Sequence, residues 1–368
     1  MAKYFVKDEN GNLYTDQTTK KPLAVEVASK LPLLIGVQDA TNNPYEITAS
    51  DLEGMTEIGD YAFYQKKGLT SIDFTNITKI GSMSLGYCSF AEIIAPNVEE
   101  AGSSAFSGCQ NLVTVSMPKL KEVSSSLFSG LEKLENLNIE SVEIIKSSGI
   151  QYCSALETVD LPNVKTLEYR SFYYDRVLKS VNLPSVEEIG QEAFGQCAKL
   201  TTVDFPSLIK TTGDRNFYGC TVLETANMPN ATSLGSGTFS YCSKLTTVNI
   251  PKVETLSGSC FKNCGALDSI DLPKVVTLGS SVFESCAKLT SLTIPATCTS
   301  IGNKALQSGS TTDKCTFTFE GTTPPTITTS TFLASYINKI IVPAGCGETY
   351  KTATNWATFA DYIEEATE

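Results

Sequence analysis

Residues 245–259 read LTTVNIPKVETLSGS and run straight into Cys260 and Phe261. Nearly the same phrase occupies residues 223–239 and returns at residues 267–283. The shared pattern is Leu-x-x-Val-x-Leu-Pro-x-Val-x-x-Leu-Gly-x-x-x-Phe-x-x-Cys, with copies about 22 residues apart. Its proline recurs at Pro96, Pro118, Pro162, Pro184, Pro206, Pro229, Pro251, Pro273 and Pro295, and Glu140 stands at the one missing place. An aromatic column runs Phe63, Leu85, Phe106, Phe128, Ile150, Phe172, Phe194, Phe217, Phe239, Phe261, Phe283 and Leu306.

A fixed period of this length with spaced leucines is the mark of a leucine-rich solenoid. Each unit is too small to bury its own apolar face, so units stack and share one core. In Leu200-Thr201-Thr202-Val203-Asp204-Phe205, Val203 and Phe205 take one face of a strand, and Thr202 and Asp204 the other. Pro206 lacks the N–H a ladder needs and stops the strand. Residues 186–190, VEEIG, read as a second short extended run, with Gly190 permitting the turn that follows. Residues 191–197 place Ala193, Phe194 and Cys197 at helical or turn spacing. About eleven such coils, stacked at strand spacing, span roughly 50–55 Å and make a long wall suited to a macromolecule.

Residues 178–197 carry L-x-x-V-x-L-P-x-V-x-x-I-G-x-x-A-F-x-x-C and resemble the BspA-like leucine-rich repeats, also called the Treponema pallidum type. The resemblance covers roughly residues 47–306. Departures are Glu140, Leu131 and Asp175 (the last two in the cysteine column) and a copy at residues 90–96 that is one residue short. The resemblance implies an α/β repeat solenoid: a right-handed leucine-rich repeat with a parallel β-sheet wall, short strands and turns opposite, and terminal caps. It also implies a bacterial cell-surface or extracellular protein that adheres to host proteins, matrix or other cells.

Three segments follow: residues 1–44 as a cap or attachment arm, 45–308 as repeats, and 309–368 as a C-terminal cap. At the start, Tyr4-Phe5-Val6 and Leu13-Tyr14 flank Asn10-Gly11, a hairpin signal. No apolar core of signal-peptide length opens the chain. A removed signal, another export route and a phage structural protein all remain open. At the end, Thr316-Phe317-Thr318-Phe319 and residues 337–342 read as strands. Residues 348–353 and 356–365 read as helices, the second facing the solenoid through Phe359, Tyr362 and Ile363. Trp356, the chain's single tryptophan, reads as a plug.

The net charge of −12 argues against nucleic acid, whose backbone demands Lys/Arg clusters, and against an anionic membrane surface. There is no apolar run long enough to span a bilayer. The absence of histidine removes Ser-His-Asp and Cys-His catalysis and the commonest metal ligand. Adjacent acids such as Glu187 and Glu188 point to opposite faces of a strand and cannot converge. The sequence thus predicts no enzyme, no cofactor and no metal.

Eight of the 12 cysteines form a column: Cys88, Cys109, Cys153, Cys197, Cys220, Cys242, Cys264 and Cys286. Leu131 fills the same slot, as a packing position allows, so buried thiols are favoured over disulfides or zinc. Cys298, Cys315 and Cys346 lie outside the column and are the candidates for an exposed or bonded thiol.

Two polar ladders face outward from the strand wall. One is hydroxyl: Thr158, Ser180, Thr202, Thr225, Thr247, Ser269 and Ser291. The other is Asp160, Asn182, Asp204, Asn227, Asn249 and Asp271. They read either as solvent-facing rungs bonded along the stack or as a binding face for a protein or surface glycan. Alternation of Asp with Asn dilutes the charge that calcium would need. A second patch gathers Tyr169, Arg170, Tyr173, Tyr174 and Arg176, residue types that dominate interface hot spots. Since Phe172 belongs to the core, Tyr173, Tyr174 and Arg176 are the expected exposed set. The reading is a binding and adhesion module, with a structural or receptor-binding part of a phage or secretion apparatus as the alternative. Oligomeric state stays open.

Overall fold

The structure, a computed structural model, describes residues 2–5, 24–27, 33–34, 45–47, 52 and 54–367. It divides into two compact units, Met1–Leu178 and Lys179–Glu368. Both are built from coils of the same kind. In the first unit the outer wall comprises Tyr45–Ile47, Leu69–Ile72, Glu92–Ile94, Thr114–Ser116, Asn136–Asn138 and Thr158–Asp160. In the second it comprises Ser180–Asn182, Thr202–Asp204, Thr225–Asn227 and Thr247–Asn249, then Ser291–Ile294, Cys315–Phe319, Ile337–Val342 and Ile363–Glu365. The wall pairings are parallel, and in the second unit they join equivalent positions of successive coils, as in Thr202↔Thr225↔Thr247.

Proline explains how each coil leaves this wall. Val253 N–H donates to the Ile250 carbonyl at 3.2 Å across Pro251, and Val186 does the same to Leu183 across Pro184. Proline therefore sits second in a β-turn, where its fixed φ is wanted. The chain then enters a second row of two-residue strands. In the first unit these run from Leu33–Leu34 and Glu57–Ile58 to Thr166–Leu167, and in the second from Glu188–Ile189 to Ser300–Ile301.

The glycine that follows does a different job from the one expected. Gly279 and Gly302 are not among the residues with positive φ. A Cβ on Gly302 would lie 2.7 Å from the Gly279 carbonyl carbon, and one on Gly279 2.6 Å from the Gly258 nitrogen. The column keeps glycine because successive backbones nearly touch there.

The third side of each coil is a turn, not a helix. It carries two left-handed residues per coil, as at Ser126 (φ 55) with Gly130 (φ 74) and at Gly237 (φ 63) with Tyr241 (φ 65). Alternate N–H groups reach the next coil: Gly237 donates to Gly258, Phe239 to Cys260 and Tyr241 to Lys262, each at 2.8 Å. This third ladder satisfies backbone groups that a helix would have satisfied internally.

The core lies inside the three walls. Phe194, Phe217, Phe239, Phe261 and Phe283 stack with centroids 5.3–5.6 Å apart and planes within 14°. Phe106 and Phe128 do so in the first unit at 5.8 Å. The column thiols are buried and in no disulfide. Each of seven donates to the backbone carbonyl 24–26 residues earlier, as Cys242 does to Phe217 at 3.2 Å and Cys286 to Phe261 at 3.1 Å. Burial pushes the Cys109, Cys220 and Cys286 thiols up to about 12, so they stay protonated. Cys298 and Cys315 are buried as well, contrary to expectation, because strand Cys315–Phe319 carries its cysteine inward. Cys346 alone is half-exposed.

The ends depart further from the sequence reading. Ala2–Phe5 pairs antiparallel with Ala24–Val27, whereas its expected partner, Leu13-Tyr14, and the Asn10-Gly11 turn lie outside the described residues. At the C-terminus, residues 356–365 are not one helix. Trp356–Tyr362 is a 3-10 turn and Ile363–Glu365 a strand parallel to Ile340–Val342. Backbone pairing wins there, and the Glu365 carboxylate accepts from Gly345 and Gly347 N–H at 2.9 and 2.8 Å. Trp356 is buried, donates to the Pro325 carbonyl at 2.9 Å, and packs on Phe319, Tyr350 and Phe332.

Candidate functional site

Strand alternation decides what the outer wall offers. In Thr202–Asp204, Val203 is buried while Thr202 and Asp204 are exposed, and Thr158 and Asp160 flank buried Val159 in the same way. Ser180, Asn182, Thr247 and Asn249 are also exposed, and Thr225 and Asn227 half-exposed. The in-register stack ties the amides together. Asn227 Nδ2 donates to Asp204 Oδ1, and Asn249 Nδ2 to Asn227 Oδ1, each at 2.7 Å. The first unit uses a variant rung, with Asn138 Nδ2 donating to Ser116 Oγ at 3.3 Å. The ladder breaks at Ser269 and Asp271. Both are exposed, but they lie in no strand, and Ser269 Oγ turns to Asp268 Oδ1 at 2.9 Å. An open groove of about 470 Å³ in the first unit is lined by Glu135, Ser154, Ala155, Glu157, Thr158 and Val177.

The second row of strands carries ion pairs: Lys79–Glu100, Lys146–Glu122 and Lys165–Glu143 at 2.8 Å, and Lys210–Glu188 at 3.0 Å. The hydrogen bond from Lys165, with its charge, lowers the Glu143 pKa. Each pair is solvated and adds little to stability. What the pairs do is fill this face with self-neutralising charge.

The turn wall is aromatic. In the first unit Tyr61, Tyr64 and Tyr87 meet edge to face at 5.9 and 5.7 Å. A second group joins Tyr152, Tyr173 and Tyr174, with centroids 5.3–6.0 Å apart. Arg170 lies over Tyr169 and Tyr173 at 4.8 and 4.4 Å, and Arg176 over Tyr174 at 3.9 Å while donating to its hydroxyl. Tyr173 and Tyr174 are only half-exposed, since each packs on Tyr152; Tyr169 and Arg176 are the exposed members. Tyr152 was missed in sequence, although it stands 22 residues before Tyr174 in a column that includes Tyr87 and Tyr241. In the second unit Arg215 lies over Tyr218 at 5.5 Å, and Tyr218 meets Tyr241. Each of the chain's three arginines therefore sits over a tyrosine ring.

Among the described residues no group of three or more His, Cys, Asp or Glu converges as metal ligands, and no helix is long and apolar enough to cross a membrane.

Coils with a parallel strand wall, a second row of short strands, a buried leucine and phenylalanine core and a step of about 22 residues define a leucine-rich-repeat solenoid. Residues 56–176, 165–277 and 232–356 match the family profile described as BspA type leucine rich repeat region (6 copies), and the chain belongs to that family. A leucine-rich repeat protein from Bacteroides ovatus has a similar structure, at TM-score 0.60 and 18% identity, covering 100% of this chain and 99% of that one. The pneumococcal vaccine antigen PcpA matches at TM-score 0.46 and 16% identity over 99% of this chain and 82% of its own. The T. pallidum leucine-rich repeat protein matches at TM-score 0.37 and 22% identity over 50% of this chain and 79% of its own. No curated protein matches the chain.

Proposed function

We propose that this chain is a non-enzymatic adhesion module of the cell surface that recognises a partner protein through its strand wall. The observation that carries the reading is the in-register ladder Asp204, Asn227 and Asn249, whose side chains are ordered by one another before any partner arrives. A surface whose side chains are already fixed loses less entropy on binding. The Thr202, Thr225 and Thr247 row beside it adds hydroxyls that both donate and accept. The wall's outward face is polar, so it suits a wet interface whose partner supplies the apolar anchors. The surface location rests on membership of a family associated with surface proteins.

The test is binding of the full chain to arrayed host matrix proteins, bacterial surface glycans and whole cells. It is run beside a variant carrying Thr202→Lys, Asp204→Lys, Thr225→Lys and Asn227→Lys. A protein hit that the variant loses supports the reading. A hit confined to glycans replaces the partner class, and no hit on any array or cell removes adhesion.

A further inference from the structure

Residues 168–176 read EYRSFYYDR and carry two acids and two of the chain's three arginines. The fold separates them. Glu168 turns back along the stack, its Oε2 accepting from Ser147 N–H at 3.1 Å and from Ser147 Oγ at 3.0 Å. Asp175 is fully buried and accepts from Cys153 N–H at 2.7 Å through Oδ1. Arg176 is exposed and makes no ion pair among the described residues; its guanidinium carbon lies 3.9 Å from the Tyr174 ring centre, and its Nη2 donates to that ring's hydroxyl. The Arg170 guanidinium lies near both the Tyr169 and the Tyr173 ring, at 4.8 and 4.4 Å from their centres. A guanidinium held by one ring and one hydroxyl bond keeps further N–H donors for a carboxylate, which its planar fork can meet edge-on. The tyrosines supply rigid apolar area around it, and Tyr169 and Tyr152 are both exposed.

We propose that this tyrosine–arginine patch of the first unit docks an acidic segment of a partner protein, with Arg176 receiving an Asp or Glu carboxylate and the tyrosines packing the apolar residues beside it. The choice of occupant follows from charge: the chain is strongly acidic overall, yet two of its three arginines fall in this one stretch, and the acids of the same stretch point elsewhere. Tyrosine with arginine is the composition of protein-interface hot spots. The proposal rests on reading the chain as a protein-binding module, and it assigns a second face distinct from the strand wall.

The test uses the full chain and two fluorescein-labelled peptides, Glu-Phe-Glu-Phe-Glu and Gln-Phe-Gln-Phe-Gln, followed by fluorescence anisotropy. The acidic peptide is expected to bind at least about tenfold tighter, with the preference shrinking as salt is added. Arg176→Gln abolishes the preference, Arg176→Lys restores only part of it because lysine cannot bind in a fork, and Asp204→Lys leaves it intact. Equal binding of the two peptides, or a preference that survives Arg176→Gln, overturns the proposal. So does polygalacturonate that displaces the acidic peptide and binds tighter, since the face would then be a glycan site. Circular dichroism melts of both Arg176 variants that match the parent exclude a folding artefact. If the arrays yield a protein partner that Arg176→Gln binds equally well, this patch fails while the module reading stands.

Discussion

Asp175 stands in a slot where seven coils carry a thiol that donates to a carbonyl. Its Oδ1 is satisfied by Cys153 N–H, and its Oδ2 has no partner. Burial raises its pKa well above the usual carboxylate value, against the lowering effect of that one hydrogen bond. The folded chain therefore keeps the proton at pH values where the unfolded chain has shed it. Stability is fully present below the unfolded carboxylate value of about 4, and is lost as pH rises toward the folded value. Asp175→Asn supplies donors that do not titrate. Melting curves from about pH 4 to about pH 8 should show the parent falling relative to Asp175→Asn, with a gap of about 1–3 kcal/mol at the upper end. Parallel curves would mean that Oδ2 finds a donor. Thiol labelling gives a second residue-scale outcome. Of the 12 cysteines, Cys346 should react first with a thiol reagent and the buried remainder only after unfolding, since burial keeps them protonated. The sequence made the cysteine column legible as packing, because Leu131 shares it. It hid the S–H donation, because the acceptor carbonyl belongs to another coil.

Two glycine positions separate steric need from backbone need at the scale of a coil. Gly279 has ordinary φ but no room for a Cβ, whereas Gly130 has φ 74 and nothing within 4 Å of a Cβ. Gly279→Ala should cost about 1–3 kcal/mol through overpacking against residues 257 and 258. Gly130→Ala should cost only about 1 kcal/mol and Gly130→Asn less, because the penalty there is conformational. Urea titration of the three variants checks the order; equal losses would show that one mechanism governs both sites. The aligned positions show why this was not read in advance. Tyr152, Tyr174, Gln196 and Asn263 all adopt positive φ at Gly130's place without being glycine. A periodic third ladder can enforce a backbone shape that no single side chain announces. The same competition explains residues 363–365. Phe359 and Ile363 have helical spacing, yet Ile363–Glu365 finds a ready strand edge in Ile340–Val342 and pairs with it. The strand wall was legible because Pro, Val and alternating Thr/Asp act locally. The turn wall's aromatic cluster was legible only in part, since Tyr152 and Tyr174 become neighbours through stacking.

At the scale of the whole molecule, a solenoid has no single centre, so its stability is a sum of coil and neighbour terms. Its ends are where such an array opens first, and the C-terminal end of the second unit is closed by one aromatic knot. Phe319, Phe332, Tyr350, Trp356 and Phe359 make ring contacts of 4.9–6.0 Å, and Tyr350 donates its hydroxyl to the Gly321 carbonyl at 2.7 Å. Removing that hydroxyl leaves a half-buried carbonyl with one partner fewer, so Tyr350→Phe should lose about 1 kcal/mol. The loss should not be shared evenly. Trp356 is the chain's only tryptophan and lies inside the knot, so its fluorescence reports this end alone, while far-ultraviolet circular dichroism reports all the coils. In Tyr350→Phe the fluorescence midpoint in urea should fall further than the dichroism midpoint, as a locally opening end demands. Midpoints that fall together would show that the knot and the coils it closes unfold as one cooperative block. A fluorescence midpoint that does not move would show that the ring contacts alone hold the end.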